Sequence, residues 1–172
     1  MPTTYGEELA EAKIATMERT EGRWTEEECR SWIAVNDPDN LATFNLLLEE
    51  ARNHDISFVG SVRREKAVPA GSLRITLDEV GITGHIYVYH YSAASTSIEL
   101  SFTTVRKAAG SDMLKNRLDN LLRQLGDINE LQRAAIILRE SNWKRRPNVP
   151  LQKLPTASVK RLVEAIAEFR SM

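Results

Sequence analysis

His85, Tyr87, Tyr89 and Tyr91 occupy alternate positions, so an extended chain would place all four on one face. Polar-edged aromatic rings on an open sheet face can stack on nucleic-acid bases or line a small-molecule pocket. Tyrosine is also simply favoured on half-exposed strands. Arg74 and Glu99 fall on neighbouring runs and could pair with the row. His90 points the other way, beside Ile86 and Val88, which predicts a buried, hydrogen-bonded histidine. A second cluster is contiguous: Lys144, Arg145 and Arg146, which with Lys153, Lys160 and Arg161 could meet phosphates. Trp143 adjoins it as an expected anchor to the core.

Charge is unevenly distributed. Residues 1–105 carry 9 Lys+Arg against 17 Asp+Glu, a net of −8, whereas residues 106–172 carry 14 against 7, a net of +7. Such a split marks a basic binding face, or two parts that face each other within the fold or across a dimer. Other chemistries find little support. Cys29 is the only cysteine, so an intrachain disulfide and a cysteine-rich zinc site are excluded. The histidines lack the HExxH spacing, and no P-loop, GxGxxG or GxSxG occurs. Asp78 and Glu99 on adjacent strands suggest a nuclease carboxylate pair, but Ser101 stands where that site would want a lysine. No catalytic residue, metal ligand or cofactor is therefore assigned.

Elements must position these residues. Thr4 and Glu7 have capping-box spacing, which predicts a helical arm within residues 1–21 with a thin apolar face of Ala10, Ile14 and Met17. Thr25 and Glu28 form a second capping box, and the helix they open carries Trp32 and Ile33 and ends near Asn36. Asp37-Pro38 reads as an N-cap with proline at the first helical position of a helix running to about Asn53. After His54 the period becomes two. Four runs, around Ile56–Val62, Leu73–Leu77, Ile86–Tyr91 and Ile98–Phe102, predict an antiparallel four-stranded meander, with a turn at Gly81–Gly84. Ser111 would cap a helix whose stripe is Leu114, Leu118, Leu121, Leu122 and Leu125, with Gly126 just past its end and ion pairs among Lys115, Asp119 and Arg123. Residues 129–139 read as helix or strand. Trp143–Pro155 reads as a loop, and Thr156 as the cap of a last amphipathic helix. The fold class is α+β, with residues 22–172 as one domain whose helices cover the aliphatic sheet face.

The order of Trp24-Thr25-Glu26-Glu27-Glu28, Arg117-Leu118-Asp119-Asn120-Leu121-Leu122 and Arg146-Pro147-Asn148-Val149-Pro150-Leu151-Gln152-Lys153-Leu154 resembles an uncharacterised bacterial domain, found alone or attached to restriction and defence-type proteins. The resemblance covers about residues 22–170, carries over no catalytic residue, and implies a binding or accessory role.

With 42% hydrophobic and 27% charged residues the chain has the composition of a folded domain. It lacks an apolar run of the roughly 20 residues needed to span a bilayer, and a secretory signal, so a cytoplasmic setting without membrane contact is expected. The reading is a non-enzymatic accessory or interaction module. Its His85/Tyr87/Tyr89/Tyr91 face, with Arg74 and the basic cluster, would bind a protein partner, a second copy of the chain, or nucleic acid. The alternative is a small-molecule sensor or enzyme with a pocket beside the tyrosine-rich strand.

Overall fold

A computed structural model of the chain describes residues 22–64, 68–77, 82–91, 95–104 and 112–171. The expectations for the arm at 1–21, for Asp78 and for the Ser111 cap lie outside them.

Helix α1 spans Glu26–Asn36. Its capping box is the predicted one: the Glu28 N–H donates to Thr25 Oγ1 at 3.1 Å, and the Thr25 N–H donates to Glu28 Oε2 at 2.8 Å. The Thr25 N–H, with Arg63 at 2.5 Å, holds the Glu28 carboxyl below the ordinary carboxylate value despite the opposing effect of burial. Arg63 also lies 4.7 Å over the Trp24 ring. The chain before α1 runs antiparallel to residues 61–63, with the Trp24 N–H bonded to the Ser61 carbonyl at 2.9 Å. Gly60 permits this approach, since a Cβ there would lie 1.5 Å from the Trp24 carbonyl oxygen.

Asp37-Pro38 opens a 3-10 turn, Pro38–Asn40, that leads into α2, Leu41–Asn53. The expected side-chain cap does not form. The Asp37 carboxylate instead accepts from the Thr96 N–H at 2.7 Å and from Asn40 Nδ2 at 2.9 Å. Helix α2 closes through Asp55, in the left-handed region at φ 56. The Ile56 N–H reaches back to Ala51 and the Asp55 N–H to Arg52, a Schellman closure with aspartate where glycine is usual.

The sheet has five antiparallel strands in sequence order, not four: β1 Phe58–Gly60, β2 Gly71–Leu77, β3 Ile82–Tyr91, β4 Ser95–Ser101 and β5 Asn148–Pro150. The added strand comes from the segment read as loop. Its Val149 pairs with Ile98, and prolines at 147 and 150 suit an edge position because they need not donate to a further strand. The turn expected at Gly81–Gly84 does not cover residues 82–84, which are strand. The β2–β3 ladder continues to Leu77↔Ile82, so Gly84 lies within β3, opposite Ile75. Leu73, Ile75, Ile86, Val88, Ile98, Leu100 and Val149 are buried in one apolar cluster with the helices.

The C-terminal helices are α3 Asp112–Gly126, α4 Gln132–Glu140 and α5 Thr156–Ser171. Residues 129–139 are thus helical, a 3-10 turn followed by α4. Gly126 is the last residue of α3, not the residue beyond it. Among the described residues Lys115, Asp119 and Arg123 form no ion pairs, and Arg123 bonds Asn120 instead. Thr156 is the first helical residue of α5, and the Pro155 carbonyl accepts from the Ser158 and Val159 N–H groups. Leu118 and Leu122 are buried as their stripe predicts. Their helix packs chiefly on α4 and α5, and α5 approaches β2.

Cys29 is 3% exposed, and burial, reinforced by Glu28 and Glu26, pushes its thiol up to about 12. The thiolate is the reactive form. A maleimide at neutral pH should therefore label the native protein far more slowly than the denatured chain, and equal rates would contradict this placement.

Candidate functional site

Register brings the predicted face together. The row Ser72, Tyr87, Glu99 and Asn148 crosses four strands, and the neighbouring row is Arg74, His85 and Ser101. These side chains lie opposite the aliphatic face because strand residues alternate. Arg74 is exposed, and His85, Tyr87, Tyr89 and Glu99 are half-buried. Tyr91 holds its place in β3 opposite Ser95.

The four aromatic positions do not play equal parts. His85 and Tyr87 stack with ring centroids 5.3 Å apart and planes at 22°. Tyr89 is held by its hydroxyl, 2.8 Å from Glu99 Oε2 and 2.9 Å from Asn148 Oδ1. Arg146 approaches Glu99 from the same side at 3.9 Å. Tyr87, Tyr89, Glu99 and Arg146, with Ser61 and Gly71, line a groove of about 410 Å³. Glu99 is legible in the sequence as a pairing partner on a neighbouring strand. Asn148 is not, because its segment has the composition of a loop and only the β4–β5 register reveals its position.

The basic cluster divides. Lys144, Arg145 and Arg146 are all exposed, but Arg146 alone joins the groove lining. Lys153, Lys160 and Arg161 are exposed on the following 3-10 turn and on α5. What fixes the cluster is a strained turn. Asn142 and Trp143 both have positive φ, 53 and 65. A bulky side chain there costs of order 1–3 kcal/mol and persists only where its surroundings enforce it. Trp143 is 4% exposed and meets Phe102 edge-on at 5.3 Å. Its N–H donates to the Leu138 carbonyl at 2.7 Å, and its own carbonyl accepts from Thr103 Oγ1 at 3.2 Å. The tryptophan is thus the expected anchor, and it holds the chain from which Lys144, Arg145 and Arg146 follow.

Burial first, then Arg74 and Arg146, hold the His85 imidazole below the ordinary histidine value. The unfolded chain therefore binds more protons between the two values, and stability from this group falls as pH drops below about 6.5. Denaturant midpoints at pH 7 and at about pH 5.5 should separate more for the wild type than for His85→Gln. Equal separations would remove the assigned effect.

His90 lies on the other face, T-stacked on Trp32 at 4.8 Å. The expected hydrogen bond is not made at Nδ1, which is 3.9 Å from Asp37 Oδ2, beyond hydrogen-bond range. Among the described residues no group of three or more His, Cys, Asp or Glu could hold a metal ion, and no helix is long and apolar enough to cross a membrane.

The arrangement defines an antiparallel sheet carrying half-exposed rings between cationic side chains, a geometry suited to stacking and anion contact. No family model, curated protein or solved structure matches the chain.

Proposed function

We propose that the protein is a non-enzymatic binding module whose outer sheet face takes single-stranded nucleic acid. The observation that carries this reading is the stacked His85–Tyr87 pair, half-exposed and flanked by Arg74 and Arg146. A base offers a flat face to the open side of such a pair, and its phosphates suit the two guanidinium groups. Lys144 and Arg145, exposed and just before Arg146 in the chain, add two further cations for phosphate.

The test is a titration of labelled single-stranded and duplex oligonucleotides over a salt series. The expected result is single-strand binding in low salt that weakens as salt rises, because neutralised phosphates release condensed counterions. Affinity should also rise as pH falls, since a nearby phosphate favours the protonated His85 imidazole. No binding at tens of micromolar protein in low salt would retire the proposal.

The groove of about 410 Å³ favours a second reading, a small ligand carrying an aromatic ring and an anionic group beside Tyr87 and Arg146. A nucleoside monophosphate separates the two. Under the first reading it competes weakly with an oligonucleotide, whereas under the second it binds at least as tightly.

A further inference from the structure

A carboxylate on a face that takes phosphates needs its own explanation, because like charges repel. Glu99 stands on β4 directly opposite Tyr87, and both line the groove of about 410 Å³. Side chains so paired across an antiparallel ladder are close neighbours. The Glu99 side chain is 17% exposed, so it is partly withdrawn from water but still open to a ligand. The Tyr89 hydroxyl, 2.8 Å from Oε2, fixes the orientation of the carboxylate. Arg146 stands 3.9 Å from Oε1, beyond hydrogen-bond range. A carboxylate accepts at about four lone-pair positions, so these neighbours leave both oxygens with capacity for a ligand.

We propose that Glu99 makes this face selective for guanine, accepting hydrogen bonds from the N1–H and the 2-amino group of a base stacked on Tyr87. The inference rests on the base-stacking reading given above and adds which base is taken. Two adjacent donors match the two oxygens of a carboxylate, as the paired donors of a guanidinium do. Among the common bases only guanine presents two adjacent donors on its Watson–Crick edge. Adenine and cytosine each set a ring-nitrogen acceptor beside the amino group, and uracil flanks its N3–H with two carbonyls. A carboxylate repels those acceptors, and a half-buried one left without donors is the condition under which a site rejects the wrong ligand most strongly. Arg146, in the same groove, remains for the adjoining phosphate.

The probes are fluorescein-labelled uridine decamers whose central position is guanosine, inosine, adenosine, cytidine or uridine, titrated into the full chain by anisotropy in low salt. The guanosine decamer should bind at least about fivefold more tightly than the adenosine, cytidine and uridine ones, the lower bound for a bidentate base contact. Inosine keeps N1–H and lacks the 2-amino group, so its decamer should fall between guanosine and adenosine. Glu99→Gln keeps an acceptor for the Tyr89 hydroxyl but sets an amide donor where one oxygen stood, and should abolish the preference. Tyr89→Phe releases the carboxylate from its fixed orientation and should narrow it. Lys144→Ala removes a phosphate contact, and should weaken all the decamers alike while the preference stays. Equal binding of all decamers, a preference for cytidine, or a guanosine preference that survives Glu99→Gln would each overturn the role of Glu99 and leave the stacking face in place. If no decamer binds, guanosine and adenosine monophosphates decide. A guanine preference that Glu99→Gln removes keeps the assignment for a free nucleotide, and the absence of discrimination ends it together with the reading it rests on.

Discussion

Phe102→Ala is expected to destabilise the protein by about 3–5 kcal/mol, the range for removing a buried phenylalanine. Phe102 is 0% exposed and meets two rings edge-on, Trp143 at 5.3 Å and Phe169 at 6.0 Å. The transfer and cavity costs are therefore joined by the loss of two aromatic pairs, each of about 0.5–1.5 kcal/mol. Neither neighbour can easily fill the space. Phe169 belongs to α5, which packs on α2 and α3, and Trp143 is confined by its left-handed backbone and its bond to Leu138. Phe102→Leu keeps most of the volume and should cost under about 1.5 kcal/mol if the site repacks. Chemical denaturation with matched slopes measures both, and a loss below about 1 kcal/mol for the alanine variant would mean that the ring trio is not a stability centre. The same trio holds the turn before Lys144. Phe102→Ala should thus also weaken oligonucleotide binding when assayed at low temperature, where the variant remains folded.

Tyr87→Ala is the second large effect, about 1–3 kcal/mol of single-strand affinity, the loss of one stacked base. The salt slope should barely change, since no cation is removed. Replacing Lys144, Arg145 and Arg146 together by alanine should act in the opposite way. The log–log salt slope should fall in magnitude by about 2–3 on duplex DNA and by about 2 on single strands, because about three phosphate contacts are lost. Tyr89→Phe is the companion variant. It removes only the hydroxyl that bonds Glu99 and Asn148, so a loss there reports the positioning of the groove wall and not stacking. A Tyr87→Ala variant that binds as the wild type does would detach the ring pair from the ligand, even if the basic triple variant fails to bind.

Local chemistry was legible in the sequence wherever the partners are near along the chain. Thr25 and Glu28 are three residues apart and form their capping box as the spacing requires. The leucine stripe of α3 is buried, and the alternation in β2 to β4 puts the aliphatic residues on one side and the His85/Tyr87/Tyr89 row on the other. Period and capping are one-dimensional signals, so they survive without a fold. The C-terminal glycine rule misled at Gly126 and was silent at Asp55, because either residue can end a helix once packing decides where the chain turns. At Asp55 that packing includes Arg170 of α5, which donates to the Asp55 carbonyl at 2.8 Å and also to the His54 carbonyl.

What tertiary structure alone decided is which of the chemically interesting residues are neighbours. Asn148 lies 59 positions from Tyr89 and bonds it only because three residues of a proline-bearing segment add a fifth strand. Such a strand is too short to carry a period, and its prolines argue against it unless the edge is known to be free. Asp37 looks like a helix cap, yet its carboxylate crosses to the Thr96 N–H, a β4 donor beyond the residues that β5 pairs. Lys144, Arg145 and Arg146 form one run in the sequence, but the left-handed turn at Asn142 and Trp143 directs Arg146 to Glu99 and the groove. The sequence by itself determined the α+β class, the order of the central strands and the identity of the exposed ring row, since each follows from hydrophobic period. The groove, the pinning of Tyr89 and the separation of Arg146 from its neighbours required the fold, because they depend on contacts between residues whose spacing along the chain carries no pattern.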